Sequence, residues 1–289
     1  MASPLKSPDP KLNTHHFGKQ VWANLDYDLR CVWLHWYPTP RPCFNLDMLS
    51  SLKEYSLYIQ KLHQNEINCA SNNSFNYRVL LSEVPGVFNL GGDLERFIHW
   101  IRTKNESALL NYGRSCIEVL YANYINYDSS TIGIALIQGL CLGGGFEAAL
   151  THDIIVAEER SQFGFPEVLF NLFPGMGAYS FLSRRLGQRL AEDIIHSKKR
   201  YSALEMLELG IVNYVVKDGE GIQSVKDLIR QKERNHNSLA GLARTRRISQ
   251  KLDFSELESV VEVWVKHALQ LTDRDLRLME RLANKQMNY

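Results

Sequence analysis

The sequence predicts an α/β fold, a mixed core followed by a C-terminal region built from helices alone. Two observations carry this. Segments of β-type character alternate with helix-periodic segments through the first two-thirds of the chain. From Ile222 onward the pattern is helical almost to the end. A third observation bounds the answer: 289 residues can bury a substantial core, and no internal repeat or low-complexity tract divides them.

Taken in order, residues 1–17 are rich in Ser, Pro, Asn and His and read as a flexible lead. Residues 19–25 and 29–36 read as strands around a turn at 26–28, and Pro38, Pro40 and Pro42 end the second. Residues 46–63 place Leu49, Leu52, Tyr55 and Leu62 at helical spacing. A polar loop is expected over 65–76 and a strand over 77–84. The loop 85–93 leads to helices over Leu94–Arg102 and Glu106–Tyr124. After the central stretch 131–179, helices are expected over 179–186, 191–196 and 203–209, with a short strand at 211–216. The remaining helical region breaks near Asn235-His-Asn237 and Thr272-Asp273. The implied division is a lead (1–17), a core (18–220) and a C-terminal helical region (221–289).

Composition removes several function classes. The charged fraction is 22% and the net charge +1, which lacks the basic bias of a nucleic-acid binder. An anionic partner must therefore be met by a local patch. Five widely spaced cysteines, without a C-x-x-C pair, argue against a disulfide framework or zinc site, and no cofactor or metal is expected. No apolar run reaches signal-peptide or membrane-spanning length, so the expectation is a soluble, cytoplasmic protein.

Residues 131–179 hold the densest chemistry. The apolar run Ile132–Ile137 breaks at Gly139, three glycines follow at 143–145, and Glu147 stands at a helix start. Glu167 follows Pro166 in an aromatic context. Glycines that expose N–H groups beside two acids in apolar surroundings suggest an oxyanion site with acid–base machinery. Gly143-Gly-Gly145-Phe-Glu-Ala148 also matches the dinucleotide fingerprint G-x-G-x-x-A. Glu147 would then put negative charge where a pyrophosphate must bind, and several elements precede a motif that usually opens its domain. No Gly-Lys-Ser/Thr follows to make a P-loop.

Five motifs occur in order: Phe88-x-x-Gly91-Gly92-Asp93-Leu94, Gly139-x-x-x-Gly143-Gly-Gly-Phe-Glu147, Phe165-Pro166-Glu167, Pro174-Gly-Met-Gly177, and Tyr201-Ser-Ala203 with Leu209-Gly-Ile-Val-Asn213. Together they resemble the crotonase (enoyl-CoA hydratase/isomerase) superfamily over roughly residues 18–220. The resemblance implies a β-β-α spiral core. Within the superfamily the chain is most similar to the bacterial diffusible signal factor synthases of quorum sensing. That match rests on Phe88-Asn-Leu-Gly-Gly-Asp-Leu94, Gly143-Gly-Gly-Phe-Glu-Ala-Ala-Leu150, Pro166-Glu-Val-Leu-Phe170, Leu172-Phe-Pro-Gly-Met-Gly-Ala-Tyr-Ser-Phe181 and Trp264.

The resemblance implies catalytic Glu147 and Glu167, with an oxyanion hole from the amides of Gly92 and Gly144. It implies a dual-function enzyme, which dehydrates a 3-hydroxyacyl thioester on acyl carrier protein to the cis-2-enoyl thioester and hydrolyses that to the free acid. Which glutamate is acid and which is base stays open. Leu142, Met176, Trp264, Leu276 and Met279 are candidates for an apolar acyl tunnel. A basic dock for acidic carrier protein could come from Arg184-Arg185 with Arg189, from Lys198-Lys-Arg200, or from Arg244-x-Arg246-Arg247. Family habit further implies a homo-oligomer, a trimer or dimer of trimers, and a regulatory sensor protein as a possible partner. Two other functions stay open, an enoyl-CoA hydratase acting on CoA thioesters and an inactive crotonase-fold binding protein.

Overall fold

The computed structural model describes residues 13–69, 74–287 and 289. It opens on an antiparallel meander of β1 (Asn13–Phe17), β2 (Val21–Asp26) and β3 (Cys31–Trp36). Residues 13–17, assigned to the flexible lead on composition, form an edge strand instead. Phe17 anchors it, buried edge-on against Tyr55 at 5.5 Å. The rest of the expected lead, 1–12, lies outside the described residues.

Helix α1 (Leu46–Cys69) runs into the expected polar loop, because no Gly or Pro stops it before Cys69. Residues 70–73 of that loop lie outside the described residues. Strands β4 (Tyr77–Ser82) and β5 (Val87–Asn89) follow, then α2 (Leu94–Arg102) and α3 (Glu106–Tyr124). Asp93 and Asn105 cap these two helices by accepting from the N–H groups of Arg96 and Ala108. The central stretch supplies β6 (Ile132–Ile137), β7 (Leu140–Leu142), α4 (Gly144–Leu150), β8 (Ile154–Glu158) and β9 (Gln162–Gly164). A 3₁₀ turn at Pro166–Phe170 carries Glu167. Next come α5 (Ala178–Leu186), α6 (Gln188–His196), β10 (Tyr201–Ser202), α7 (Ala203–Glu208) and β11 (Tyr214–Val216). The chain closes on α8 (Gly221–Glu233), α9 (His236–Ser249), α10 (Phe254–Ala268) and α11 (Asp273–Gln286), one break more than the sequence pattern suggests.

Two sheets organise these elements. The larger has seven strands in the order β1-β2-β3-β4-β6-β8-β11, parallel from β3 onward. The smaller has four short strands in the order β10-β9-β7-β5. On the large sheet, strand alternation sends Val79, Leu81, Ile134 and Leu136 to one face, where Val225 of α8 and Ala243 of α9 cover them. Leu80, Ala135 and Ile137 point the other way into the main core with α1, α3 and α10. The C-terminal helices therefore split: α8 and α9 close the back of the sheet, while α10 packs on α3 and α11 on α2. The small sheet lies at the strand ends, and every loop that carries a candidate catalytic group leaves from it or beside it.

Candidate active site

The first glycine loop, residues 89–93, leaves β5 and is anchored at almost every backbone group. The Leu90 N–H donates to the Pro42 carbonyl at 2.8 Å, and Phe44 N–H donates to the Gly91 carbonyl at 2.8 Å. Gly91 N–H donates to Asn89 Oδ1 at 2.8 Å and Asp93 N–H to Tyr112 Oη at 3.2 Å. Between them, the Gly92 N–H has no acceptor among the described residues. Asp93 is buried, held by Arg41 at 3.1 Å and Arg96 at 3.2 Å, so the loop meets α2 through a paired charge.

The second amide comes from Gly144, the first residue of α4, where a helix offers no internal acceptor for its N–H. The two loops touch closely. A Cβ placed on Gly91 would sit 2.9 Å from the Gly144 nitrogen, so only glycine lets the two amides approach this near. Gly144 and Gly92 keep partial exposure among buried neighbours, as donors facing a cavity must.

Helix α4 carries Glu147 in its first turns, 2% exposed. Its Oε1 accepts from the N–H groups of Met176 at 2.9 Å and Ala178 at 3.0 Å, which is what the Pro174-Gly-Met-Gly177 segment contributes. Burial pushes its pKa up to about 7, against the pull of those two donors. Glu167 reaches the same place from the 3₁₀ turn. Its Oε2 is buried without a hydrogen-bond partner. Burial first, and the neighbouring Glu147 charge second, push its pKa up to about 8. Gly143 makes room for it: a Cβ there would lie 2.5 Å from Glu167 Oε1, on a backbone with φ of +51°. The two carboxyls are thus a coupled pair, with Glu147 Oε1 held by two N–H groups and Glu167 Oε2 by none.

Both carboxyls and both glycines line one largely apolar cavity of about 150 Å³. Leu142, Met176 and Trp264 line it too. Trp264 is 2% exposed and packs edge-on against Phe97 at 5.1 Å. Leu276 and Met279 do not join them: both are buried in the main core, and the α11 residues at the cavity are Leu282, Lys285 and Gln286. Leu276 and Met279 share α11 with these cavity residues but stand nearer its start. At about 1.5 Å per residue, the cavity lies roughly two turns further along. Tyr112 and Cys116 of α3 also line the wall and carry no motif that the sequence could show.

The exposed trio Lys198, Lys199 and Arg200 stands at this cavity with Lys285, although Lys199 pairs with Glu205 at 2.9 Å. Four arginines of the other basic clusters are engaged elsewhere, while Arg189 and Arg244 stay exposed. Arg184 pairs with Glu256 at 2.7 Å, and Arg185 donates to the carbonyls of Leu150 and His152 at the end of α4. Arg246 and Arg247 each reach Asp153 at 2.6 Å. Cys141 is buried, with a thiol pKa raised by desolvation, as befits a packing residue. Among the described residues no cluster of His, Cys, Asp and Glu could hold a metal ion, and no helix is long and apolar enough to cross a membrane.

Residues 59–285 match the family model described as enoyl-CoA hydratase/isomerase. A probable mitochondrial enoyl-CoA hydratase 2 of Arabidopsis thaliana is 32% identical over 200 residues, 67% of this chain. The matched stretch spans only 59% of that relative's own length. An enoyl-CoA hydratase structure from Bacillus halodurans superposes with a TM-score of 0.74 at 18% identity, covering 91% of this chain and 100% of that one. The structure of Pseudomonas aeruginosa DspI superposes with a TM-score of 0.61 at 20% identity, covering 87% of this chain and 91% of its own. With the family model spanning residues 59–285, most of the chain, this protein belongs to the enoyl-CoA hydratase/isomerase, or crotonase, family.

Proposed function

We propose that this chain adds water to, and removes it from, an acyl thioester, and that its 3-hydroxyacyl substrate arrives on acyl carrier protein and leaves as a free cis-2-unsaturated fatty acid. One observation carries the reading: Glu147, Glu167 and the unpaired amides of Gly92 and Gly144 line one cavity. A thioester carbonyl between the two amides would be polarised toward the enolate, and its C2 and C3 would then lie near the carboxyls.

The electrostatics supports a division of labour. Glu147, the more readily ionised of the pair, can accept a proton from water, while Glu167 keeps its own and can deliver it to C2. Elimination runs through the reversed protonation state: Glu167 takes the C2 proton and Glu147 protonates the departing hydroxyl. Their pKa values, about 7 and about 8, keep both singly protonated states within reach near neutrality. In the hydrolytic step a carboxylate would activate water against the enoyl thioester carbon. The same two amides would hold the tetrahedral oxyanion until the thiolate leaves.

Lys198, Lys199, Arg200 and Lys285 fit the phosphate of a phosphopantetheine arm, which carrier protein and coenzyme A share. The likeness to a relative named as an enoyl-CoA hydratase favours a second reading, reversible hydration of CoA thioesters. Incubating the protein with 3-hydroxyacyl carrier protein and with 3-hydroxyacyl-CoA, then identifying products by mass spectrometry, separates the two. Free cis-2-enoic acid supports the synthase, and interconverting CoA esters without free acid support the hydratase. No turnover of either ends both readings. In the active case, Glu147→Gln and Glu167→Gln each abolish dehydration, since an amide can neither accept nor deliver the proton.

A further inference from the structure

We propose that Gln286, near the end of α11, is a positioning residue for the oxyanion hole, so that the last helix belongs to the catalytic apparatus rather than merely covering it. This rests on the thioester reading above. Gln286 is 4% exposed, and its Nε2 donates to the carbonyls of Leu90 at 3.2 Å and Gly92 at 3.4 Å. These carbonyls flank the Gly91–Gly92 peptide, whose own carbonyl is held by Phe44 N–H. Three consecutive peptide planes are thereby fixed, and the Gly92 N–H is aimed by what holds its neighbours.

The orientation of the Gln286 amide follows from its partners. Two carbonyl oxygens require the nitrogen, because the flipped amide would set an oxygen against two acceptors. Its Oε1 is then buried without a partner among the described residues. An unpaired buried oxygen is costly, and methionine or leucine would fill the place without it. Stability alone therefore does not favour glutamine here. What glutamine adds is a pair of donors to the loop that carries the Gly92 amide.

The rest of α11 suits a strap. It packs against both α2 and the turn that carries Glu167. Near its start, Asp275 accepts from Asn171, just beyond that turn, at 3.5 Å. Near its end, Gln286 holds the oxyanion loop, and Arg102 of α2 pairs with Glu280 between them at 2.6 Å. One helix thus runs from the turn that carries Glu167 to the loop that carries one of the two oxyanion donors.

The test uses the full chain carrying Gln286→Met, with Gln286→Asn as the second variant should the first fail to melt cooperatively. Octanoyl-CoA labelled at its carbonyl carbon is the probe, bound without turnover and read by difference infrared spectroscopy. In the wild type the thioester carbonyl stretch should fall to lower frequency than in water. In the variant much of that shift should be lost while Kd changes less than about threefold, and kcat with a hydroxyacyl substrate should fall about ten- to a hundredfold. A residue that only stabilises the fold would leave the bound stretch unmoved. Full retention of the shift and of kcat overturns the proposal. A wild type that shows no bound-carbonyl signal overturns the thioester reading, and this inference with it.

Discussion

Replacing Glu167 by Gln should stabilise the protein, and by an amount that depends on pH. The Glu167 carboxyl has an ordinary pKa near 4.5 and is pushed up to about 8 in the fold. Its folded form therefore binds the proton more tightly than its unfolded form. Stability is full below about 4.5 and is lost progressively as pH rises toward 8. At about 1.4 kcal/mol per pH unit, the span from 4.5 to neutrality sets a ceiling of roughly 3 kcal/mol. Glu167 keeps partial exposure and shares its titration with Glu147, so about 2 kcal/mol is the expected size. Glutamine removes the ionisable group and the repulsion it exerts on Glu147. Circular-dichroism melts should place the variant within about 1 °C of wild type at pH 4.5. At pH 7 it should melt roughly 4–8 °C higher, with activity gone. Parallel pH curves for the two proteins would refute the reasoning, because they would mean that Glu167 ionises in the fold as easily as in water.

The pH dependence of hydration should follow the same pair. kcat/KM should rise through about 7 as Glu147 ionises and fall through about 8 as Glu167 loses its proton, giving a narrow bell in initial rates. Gly143→Ala sets a Cβ 2.5 Å from Glu167 Oε1 on a backbone with φ of +51°. It should cost about 1–3 kcal/mol in a denaturant melt and about a hundredfold in kcat as the carboxyl is displaced. Tyr112→Phe strips the hydroxyl that donates to the Phe44 carbonyl at 2.5 Å and accepts from Asp93 N–H at 3.2 Å. The two groups left unpaired should lower stability by about 1–3 kcal/mol by the same melt, with kcat falling more than KM rises. Reversing charge at Lys198 and Arg200 should raise KM for a CoA-borne substrate about tenfold at low salt while leaving kcat nearly unchanged. Added salt should shrink the difference.

Much of the scaffold was legible because it obeys simple periodicities. Ile132–Ile137, Leu94–Arg102 and Glu106–Tyr124 each carry enough residues for a pattern to register, and they formed as strand, helix and helix with those bounds. The small sheet was not legible. Its strands run two or three residues, too short for alternation to show, and they are stabilised by partners far away in sequence, such as Val87 with Leu140. Yet β5 and β7 are the strands that bring the two glycine loops together. The edge strand at residues 13–17 escaped for a related reason: its composition is that of a tail, and pairing with β2 makes it a strand. Charge clusters misled in another way. Arg184, Arg246 and Arg247 look like a docking surface in the sequence, whereas Glu256 and Asp153 occupy them in the fold.

The site divides along the same line. Residue type and spacing alone pointed to glycine N–H groups beside two acids within residues 131–179, and the resemblance of the motifs to a family added the expected roles of Gly92, Gly144, Glu147 and Glu167. Tertiary structure decided everything that depends on distance and solvent. It gave Glu147 two backbone donors and left Glu167 Oε2 with none, so that two chemically identical side chains stand in different surroundings. It also moved the α11 contribution from Leu276 and Met279 to Leu282, Lys285 and Gln286. A pKa and a hydrogen bond are set by what stands within a few ångströms, and in this chain those neighbours come from residues as far apart as Leu90 and Gln286.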